Sequence, residues 1–104
     1  MKKVTLTCAH AIVKYLIAQK ILIDGKKEPL FTGVFGIFGH GNVACLGQAL
    51  EENQKDLPTY RGHHEQNMAL TGIGYARGKR RQQIFVATSS VGPGATNMVT
   101  AAAV

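Results

Sequence analysis

The sequence predicts an α/β fold, in which helices flank a parallel sheet. Short apolar segments rich in β-branched or aromatic residues alternate along the chain with longer segments of helical periodicity. This alternation is typical of βαβ units, whose helices cover a parallel sheet. Turns that contain glycine follow two predicted strands, at residues 39–42 and 92–94. In an open α/β sheet such turns lie at the carboxyl ends of strands, where ligands bind.

The first half of the chain contains two predicted helices and one buried strand. Apolar residues on one helical stripe predict a helix over 7–19, with Thr7 or Thr5 as its N-cap. The turn signal Asp24-Gly25, between short apolar pieces, predicts a small hairpin or loop. A buried strand over 33–38, a turn over 39–42 and a helix over 43–52 complete this half.

The second half contains two further strands and two helices. A short strand over 58–61 precedes a helix over 65–78, and a strand rich in β-branched residues covers 84–88. The last helix starts at Ala95 and runs to Val104 without a glycine, a proline or a basic last turn to end it. Three strands are also few for a covered parallel sheet. We therefore expect residues 1–104 to be the N-terminal part of a longer, here truncated, domain.

The chain is basic, with a net charge of +6 from 12 Lys and Arg residues against 6 Asp and Glu residues. Much of the excess lies at one predicted helix end, in Arg77, Lys79, Arg80 and Arg81, where cations complement the helix dipole. No aromatic residues interleave with these cations, so we expect no nucleic-acid partner. A basic RNA-binding module remains a rival hypothesis, whose binding would weaken steeply with salt.

Cysteine usage and hydropathy indicate the compartment. Cys8 and Cys45 lie far apart without a CxxC motif, which suggests neither a zinc site nor a disulfide framework. No apolar run reaches the ~18 residues of a membrane span. The basic start, Met1-Lys2-Lys3, is not followed by the continuous apolar stretch of a signal peptide. We expect a cytoplasmic protein that does not associate with a membrane.

One carboxylate and one glycine turn form the candidate site. Glu65 lies where a short strand turns into a helix, and Gly92-Pro93-Gly94 follows the next strand. We predict that Glu65 is the catalytic residue. The alternative is that this glutamate, in a first helical turn, only complements the helix dipole. His40, between two glycines at a strand end, is a second catalytic candidate. The alternative interpretation is that His40 is only a solvent-exposed turn residue.

Two further motifs are incomplete. Gly39-x-Gly41-x-x-Ala44 has the spacing of a weak dinucleotide fingerprint, but the acid expected about 20 residues further on is replaced by Glu65, which opens a helix. A tight turn is the simpler interpretation, and a nucleotide-binding Rossmann-type module stays as an alternative of another class. The pattern His64-Glu65-x-x-Met68 lacks the second histidine of an HExxH zinc site, so we expect no metal ligand in the chain.

Three motifs in order resemble the N-terminal pyrimidine-binding domain of thiamine-diphosphate enzymes. They are Val34-Phe35-Gly36 with Gly39, His64-Glu65-Gln66 with Ala69, and Gly92-Pro93-Gly94-Ala95-Thr96-Asn97. The opening pattern Thr7-x-Ala9-x-Ala11 is similar to that of the acetolactate-synthase branch, the closest broad group. Asp24-Gly25, Glu28-Pro29 and the run from Gly36 to Val43 look most like a branch that hydrolyses a cyclic 1,2-dione in myo-inositol catabolism.

The resemblance implies a role for each candidate residue. Glu65 matches the glutamate that hydrogen-bonds the N1′ atom of the cofactor's aminopyrimidine. The other cofactor-binding positions that it implies are Gly39, Gly92, Pro93 and Gly94. His40 matches a loop position that faces substrate in some relatives, where it would act as a general acid or base.

For a full-length protein, the resemblance implies cleavage of a carbon–carbon bond in the cyclic dione, which opens the ring to a 5-deoxy-glucuronate. An acetolactate-synthase-like lyase or decarboxylase is the alternative within the superfamily. In the superfamily, a Gly-Asp-Gly motif of a later domain holds Mg²⁺ and the diphosphate of thiamine diphosphate. This chain has no such motif. The cofactor bridges two subunits, so we expect a homo-oligomer whose second subunit completes the site, and no activity from residues 1–104 alone.

Overall fold

Strands and helices alternate along most of the chain. The computed structural model describes residues 2–104. In chain order, the elements are α1 (Cys8–Ala18), β1 (Lys20–Ile23), β2 (Lys26–Pro29), β3 (Phe31–Gly36), α2 (His40–Asn42), a π-helical segment (Val43–Gly47), α3 (Gln48–Glu52), β4 (Thr59–Arg61), α4 (Glu65–Gly78), β5 (Ile84–Thr88) and α5 (Pro93–Ala102). The predicted α/β fold class is confirmed.

The first helix and the hairpin follow local sequence signals. Helix α1 begins after its N-cap Thr7, whose hydroxyl accepts a hydrogen bond from the His10 N–H at 3.1 Å. Strands β1 and β2 pair antiparallel around Asp24 and Gly25, which both have positive φ, at 51° and 80°. A two-residue turn of this kind matches the twist of the strands that it joins. Of the hairpin or loop predicted at Asp24-Gly25, the structure shows the hairpin.

The main sheet consists of three parallel strands in the order β4-β3-β5. Val34 of β3 lies opposite Thr59 of β4 on one side and Val86 of β5 on the other. Beyond the ladder, the Ile37 N–H donates to the Thr88 carbonyl at 3.2 Å. The carboxyl ends of all three strands therefore meet at the same edge of the sheet, where ligands bind in open α/β folds.

Two helices begin earlier than predicted. The turn predicted over 39–42 is already helical from His40, because the carbonyl of Gly39 accepts a hydrogen bond from the Val43 N–H at 3.1 Å. Helix α5 begins at Pro93 rather than at Ala95, since proline at the first helical position lacks only an N–H that would be unpaired there. The buried strand predicted over 33–38 ends at Gly36.

Alternation along the strands gives the sheet two different faces. One face carries Val34 and packs against α1 and α3 in a fully buried cluster, whose members are Val13, Val34, Ala49, Leu50 and Leu57. The other face carries Phe35 and Phe85, whose stacked rings have centroids 4.5 Å apart. Tyr75 of α4 meets Phe85 edge-on, at 4.8 Å between centroids. Helices thus flank both faces of the sheet. The edge where the strands end lies between these helices.

We expect Leu57→Ala to lower the free energy of unfolding by about 2–5 kcal/mol, because the side chain is 0% exposed and its removal leaves a cavity. Urea denaturation measures this change. The matched control is Leu22→Ala on β1, whose side chain is 66% exposed, with an expected effect within about 0.5 kcal/mol. Equal effects of the two substitutions would contradict the placement of Leu57 in the core.

No helix within residues 2–104 combines the length and the apolar character that crossing a membrane requires.

Candidate functional site

Glu65 is the first residue of α4 and lies at the edge where the strands end. The chain leaves β4 at Arg61 and reaches α4 through His64, which is extended and serves as the N-cap position. The Glu65 side chain is only 8% exposed. A carboxylate at this position is stabilised by the partial positive charge of the helix N-terminus. The structure therefore places the predicted catalytic residue in a buried position at the ligand-binding edge.

Ser90 holds one oxygen of this carboxylate. Its Oγ donates a hydrogen bond to Glu65 Oε2 at 2.8 Å, from the loop that follows β5. This hydrogen bond is the main cause that holds the pKa of Glu65 below its ordinary value. The N–H of Glu65 itself lowers the pKa further, while burial acts in the opposite direction. Within residues 2–104, the other oxygen, Oε1, has no side-chain hydrogen-bond partner.

The glycine turn after β5 packs directly against this pair. Gly92 has a positive φ of 67°, and α5 starts at Pro93 immediately afterwards. A Cβ added to Gly94 would overlap both Glu65 Oε2 and Ser90 Oγ, and would lie 2.9 Å from Glu65 Cδ. Two predicted site residues, Glu65 and Gly94, are thus brought together, and only a residue without a side chain fits at 94.

Gly39 and His40 border a cleft beside the same loop. A Cβ on Gly39 would lie 3.7 Å from the Cα of Ser90. The cleft has a volume of about 480 Å³ and is lined by Phe38, Gly39, His40, Val43, Ser90 and Val91. The His40 side chain is exposed and makes no hydrogen bond in the described part of the chain. Ser90 therefore lines this cleft and also contacts the buried carboxylate of Glu65. The catalytic role of His40 stays a prediction.

The residues present fit an aminopyrimidine. Glu65 offers an ionised carboxylate whose Oε1 has no side-chain hydrogen-bond partner among residues 2–104, and Gly94 offers a backbone surface without a side chain. The donor set does not suit a metal, since no cluster of three or more His, Cys, Asp or Glu side chains occurs among residues 2–104. These residues can orient an organic ring and control a proton on it.

Ser90 is the site residue that the sequence interpretation missed. A signal for it is present, because Ser89-Ser90 is a polar pair directly after a buried strand and before the glycine turn. Sequence spacing alone gives no reason to choose between these two serines. The choice depends on which side chain points back toward α4, and only the folded backbone determines that.

Glu65 also makes stability depend on pH. Its pKa in the folded chain lies below the ordinary value of 4.5, so its ionised form stabilises the fold above that pH. This contribution is lost as the pH falls through the lower folded pKa. We expect the stability advantage of the unmodified chain over Glu65→Gln to decrease as the pH is lowered through 4.5, in urea denaturation at a series of pH values. An advantage that does not change with pH would contradict the assigned pKa direction.

The comparison with protein families gives one match over nearly the whole chain. The model of the thiamine pyrophosphate enzyme, N-terminal TPP binding domain, matches residues 7–104. Thiamine pyrophosphate is the same compound as thiamine diphosphate. No solved structure matches the chain significantly.

Curated relatives are similar over 103 residues, or 99% of this chain. A 3D-(3,5/4)-trihydroxycyclohexane-1,2-dione hydrolase of Geobacillus thermodenitrificans is 54% identical over that length. Proteins with the same name from Clostridium tetani and Bacillus thuringiensis are each 50% identical. The chain spans 16% of the length of each of these relatives. Because the family model covers residues 7–104, the chain belongs to the thiamine pyrophosphate enzymes, within their N-terminal TPP binding domain.

Proposed function

We propose that the protein containing this chain is a thiamine-diphosphate-dependent hydrolase that cleaves a carbon–carbon bond in 3D-trihydroxycyclohexane-1,2-dione. By the resemblance described above, the ring would open to a 5-deoxy-glucuronate in myo-inositol catabolism. The names of the similar proteins support the choice of substrate, and the family supports the cofactor. Residues 1–104 would then be the N-terminal part of the domain that binds the pyrimidine.

The buried carboxylate of Glu65 is the observation that carries this proposal. It lies at the carboxyl edge of a parallel sheet, with one oxygen held by Ser90 and the other without a side-chain partner in the described chain. Glu65 would hold a proton at the N1′ atom of the aminopyrimidine. Gly94, which leaves no room for a side chain, would form the wall beside the ring together with Gly92 and Pro93.

When bound, thiamine diphosphate would supply a carbon nucleophile that attacks a carbonyl of the dione. The chain's own residues would bind and orient the pyrimidine and keep water away from the Glu65 carboxylate. Gly39 would border the cofactor at the cleft beside Ser90, and His40 would exchange a proton with the substrate on the open side of that cleft.

Other parts of the protein would complete the site. We propose that Mg²⁺ and the diphosphate group are held by a domain outside this chain, since no Gly-Asp-Gly motif occurs in it. A second subunit of the same protein would supply that domain, which makes the enzyme a homo-oligomer. The cytoplasmic location expected from Cys8 and Cys45 is part of the proposal, and both cysteines are free thiols.

Activity of the full-length protein tests the proposal directly. Purified protein is assayed with thiamine diphosphate and Mg²⁺ against the cyclic dione and against pyruvate, and cofactor binding is measured by calorimetry. We expect turnover of the dione. Turnover of pyruvate alone would instead assign the protein to the acetolactate-synthase-like branch. The absence of cofactor binding would overturn both readings and return the nucleotide-binding hypothesis for Gly39 to Ala44 to first place.

A further inference from the structure

The backbone places Ser90 between the end of β5 and the glycine turn. It lies two residues beyond the end of β5 and two residues before Gly92, where the positive φ turns the chain into α5. The residue is half-buried, between the cleft on one side and the Glu65 carboxylate on the other. Its hydroxyl donates a hydrogen bond to Glu65 Oε2 at 2.8 Å.

The hydrogen bond from Ser90 makes the two oxygens of the Glu65 carboxylate different. Oε2 accepts from Ser90 and faces Gly94, where even a Cβ would overlap it. Rotation of the carboxylate about its last side-chain bond would break a charge-assisted hydrogen bond, which is stronger than a neutral one. Oε1 is therefore held in one direction, as an acceptor without a side-chain partner in residues 2–104.

We propose that Ser90 is a positioning residue, which holds the Glu65 carboxylate so that Oε1 faces the N1′ atom of the cofactor's pyrimidine. The inference rests on the proposed function for the identity of that ring. It does not require Ser90 to touch cofactor or substrate, because Ser90 acts through Glu65. Packing of Gly94 against both side chains makes the three residues one unit.

Carboxyl titration tests the first half of this proposal without any cofactor. The side-chain carboxyl of Glu65 is followed by ¹³C NMR against pH in the full 104-residue chain. We expect Ser90→Ala to raise the titration midpoint of Glu65, and Ser90→Thr, which keeps the hydroxyl, to leave it low. Ser89→Ala is the matched control, since the Ser89 side chain makes no hydrogen bond within residues 2–104. An unchanged midpoint in Ser90→Ala overturns the proposal.

Proton exchange tests the second half in the full-length enzyme loaded with thiamine diphosphate and Mg²⁺. The rate at which the thiazolium C2 proton exchanges with D₂O is measured by NMR after acid quenching, in the absence of substrate. We expect Ser90→Ala to slow the exchange by roughly ten-fold or more, as loss of a hydrogen bond to a charged group would, and Ser90→Thr to restore it.

The same experiment separates two kinds of failure. If Glu65→Gln exchanges as fast as the unmodified enzyme, the proposed function itself fails. If Glu65→Gln is slow and Ser90→Ala is as fast as the unmodified enzyme, only the positioning role is overturned. Circular dichroism of each variant verifies folding. If Ser90→Ala does not fold, Ser90→Thr decides: a folded Ser90→Thr variant that exchanges much more slowly than the unmodified enzyme overturns the positioning role of the hydroxyl, and unmodified exchange supports it.

Discussion

We expect replacement of Glu65 by glutamine in the full-length enzyme to lower kcat by about 10²- to 10⁴-fold, the range for loss of a positioned proton-transfer group. Glutamine keeps the size of the side chain, so the pocket beside Gly94 stays filled. It carries no negative charge, however, so under the proposed function it would not stabilise a proton at the pyrimidine N1′ atom as a carboxylate would. Steady-state turnover of the cyclic dione measures the loss, and Glu65→Ala should show it as well.

The matched control for this substitution is Glu51→Gln on α3. Glu51 is a solvent-exposed glutamate outside the candidate site, so its replacement should leave turnover unchanged. Circular dichroism and thermal unfolding are expected to show an intact fold for Glu65→Gln. Near-normal turnover of Glu65→Gln and Glu65→Ala would contradict the catalytic role proposed for Glu65, whatever the cofactor content of the enzyme.

The sequence was sufficient for the elements that local chemistry determines. Thr7, one of two N-cap candidates, marks the start of α1, and Asp24-Gly25 predicts a hairpin or loop because aspartate and glycine adopt positive φ in tight turns. The bounds of α4 and β5 agree with the structure to the residue, at 65–78 and 84–88. In each case the signal lies within a few residues of the feature that it predicts.

The beginnings of α2 and α5 were missed because glycine and proline carry two meanings. Gly41 indicates a turn in sequence, yet it lies inside a helical turn, where even an added Cβ would meet no atom within 4 Å. Pro93 indicates a break, yet proline suits the first position of a helix. In the structure, the two helix starts are marked by local backbone hydrogen bonds, from the Val43 N–H to the Gly39 carbonyl and from the Thr96 N–H to the Gly92 carbonyl.

The residues of the candidate site also divide into those that local sequence predicts and those that depend on contacts between distant residues. Glu65 and the glycines of 92–94 were predicted from their positions after strands, and the structure brings Glu65 and Gly94 into contact. Ser90 was not predicted, because its hydrogen bond joins residues 25 positions apart and depends on side-chain direction. The functional roles of Gly39 and His40 remain predictions, since the structure places both at a cleft but joins neither to Glu65.

Replacing Gly94 by alanine in the full-length enzyme is expected to lower kcat by about 10²-fold, because a misplacement of about 1 Å in a catalytic group can cost that much. The added Cβ would overlap Glu65 Oε2 and Ser90 Oγ, so the carboxylate must move. Overpacking of this kind also destabilises a fold by about 1–3 kcal/mol, which urea denaturation of the chain measures.

A second glycine provides the control for Gly94→Ala. Gly74 lies on the exposed side of α4 with no atom within 4 Å of an added Cβ, so Gly74→Ala should leave turnover unchanged and stabilise the helix by about 1 kcal/mol. A double-mutant cycle with Glu65→Gln then identifies the cause of the loss. If Gly94→Ala acts by displacing Glu65, it should cost little further activity once the carboxylate is gone. Losses that multiply in the double variant would instead show that Gly94 acts independently of Glu65, which contradicts the displacement mechanism.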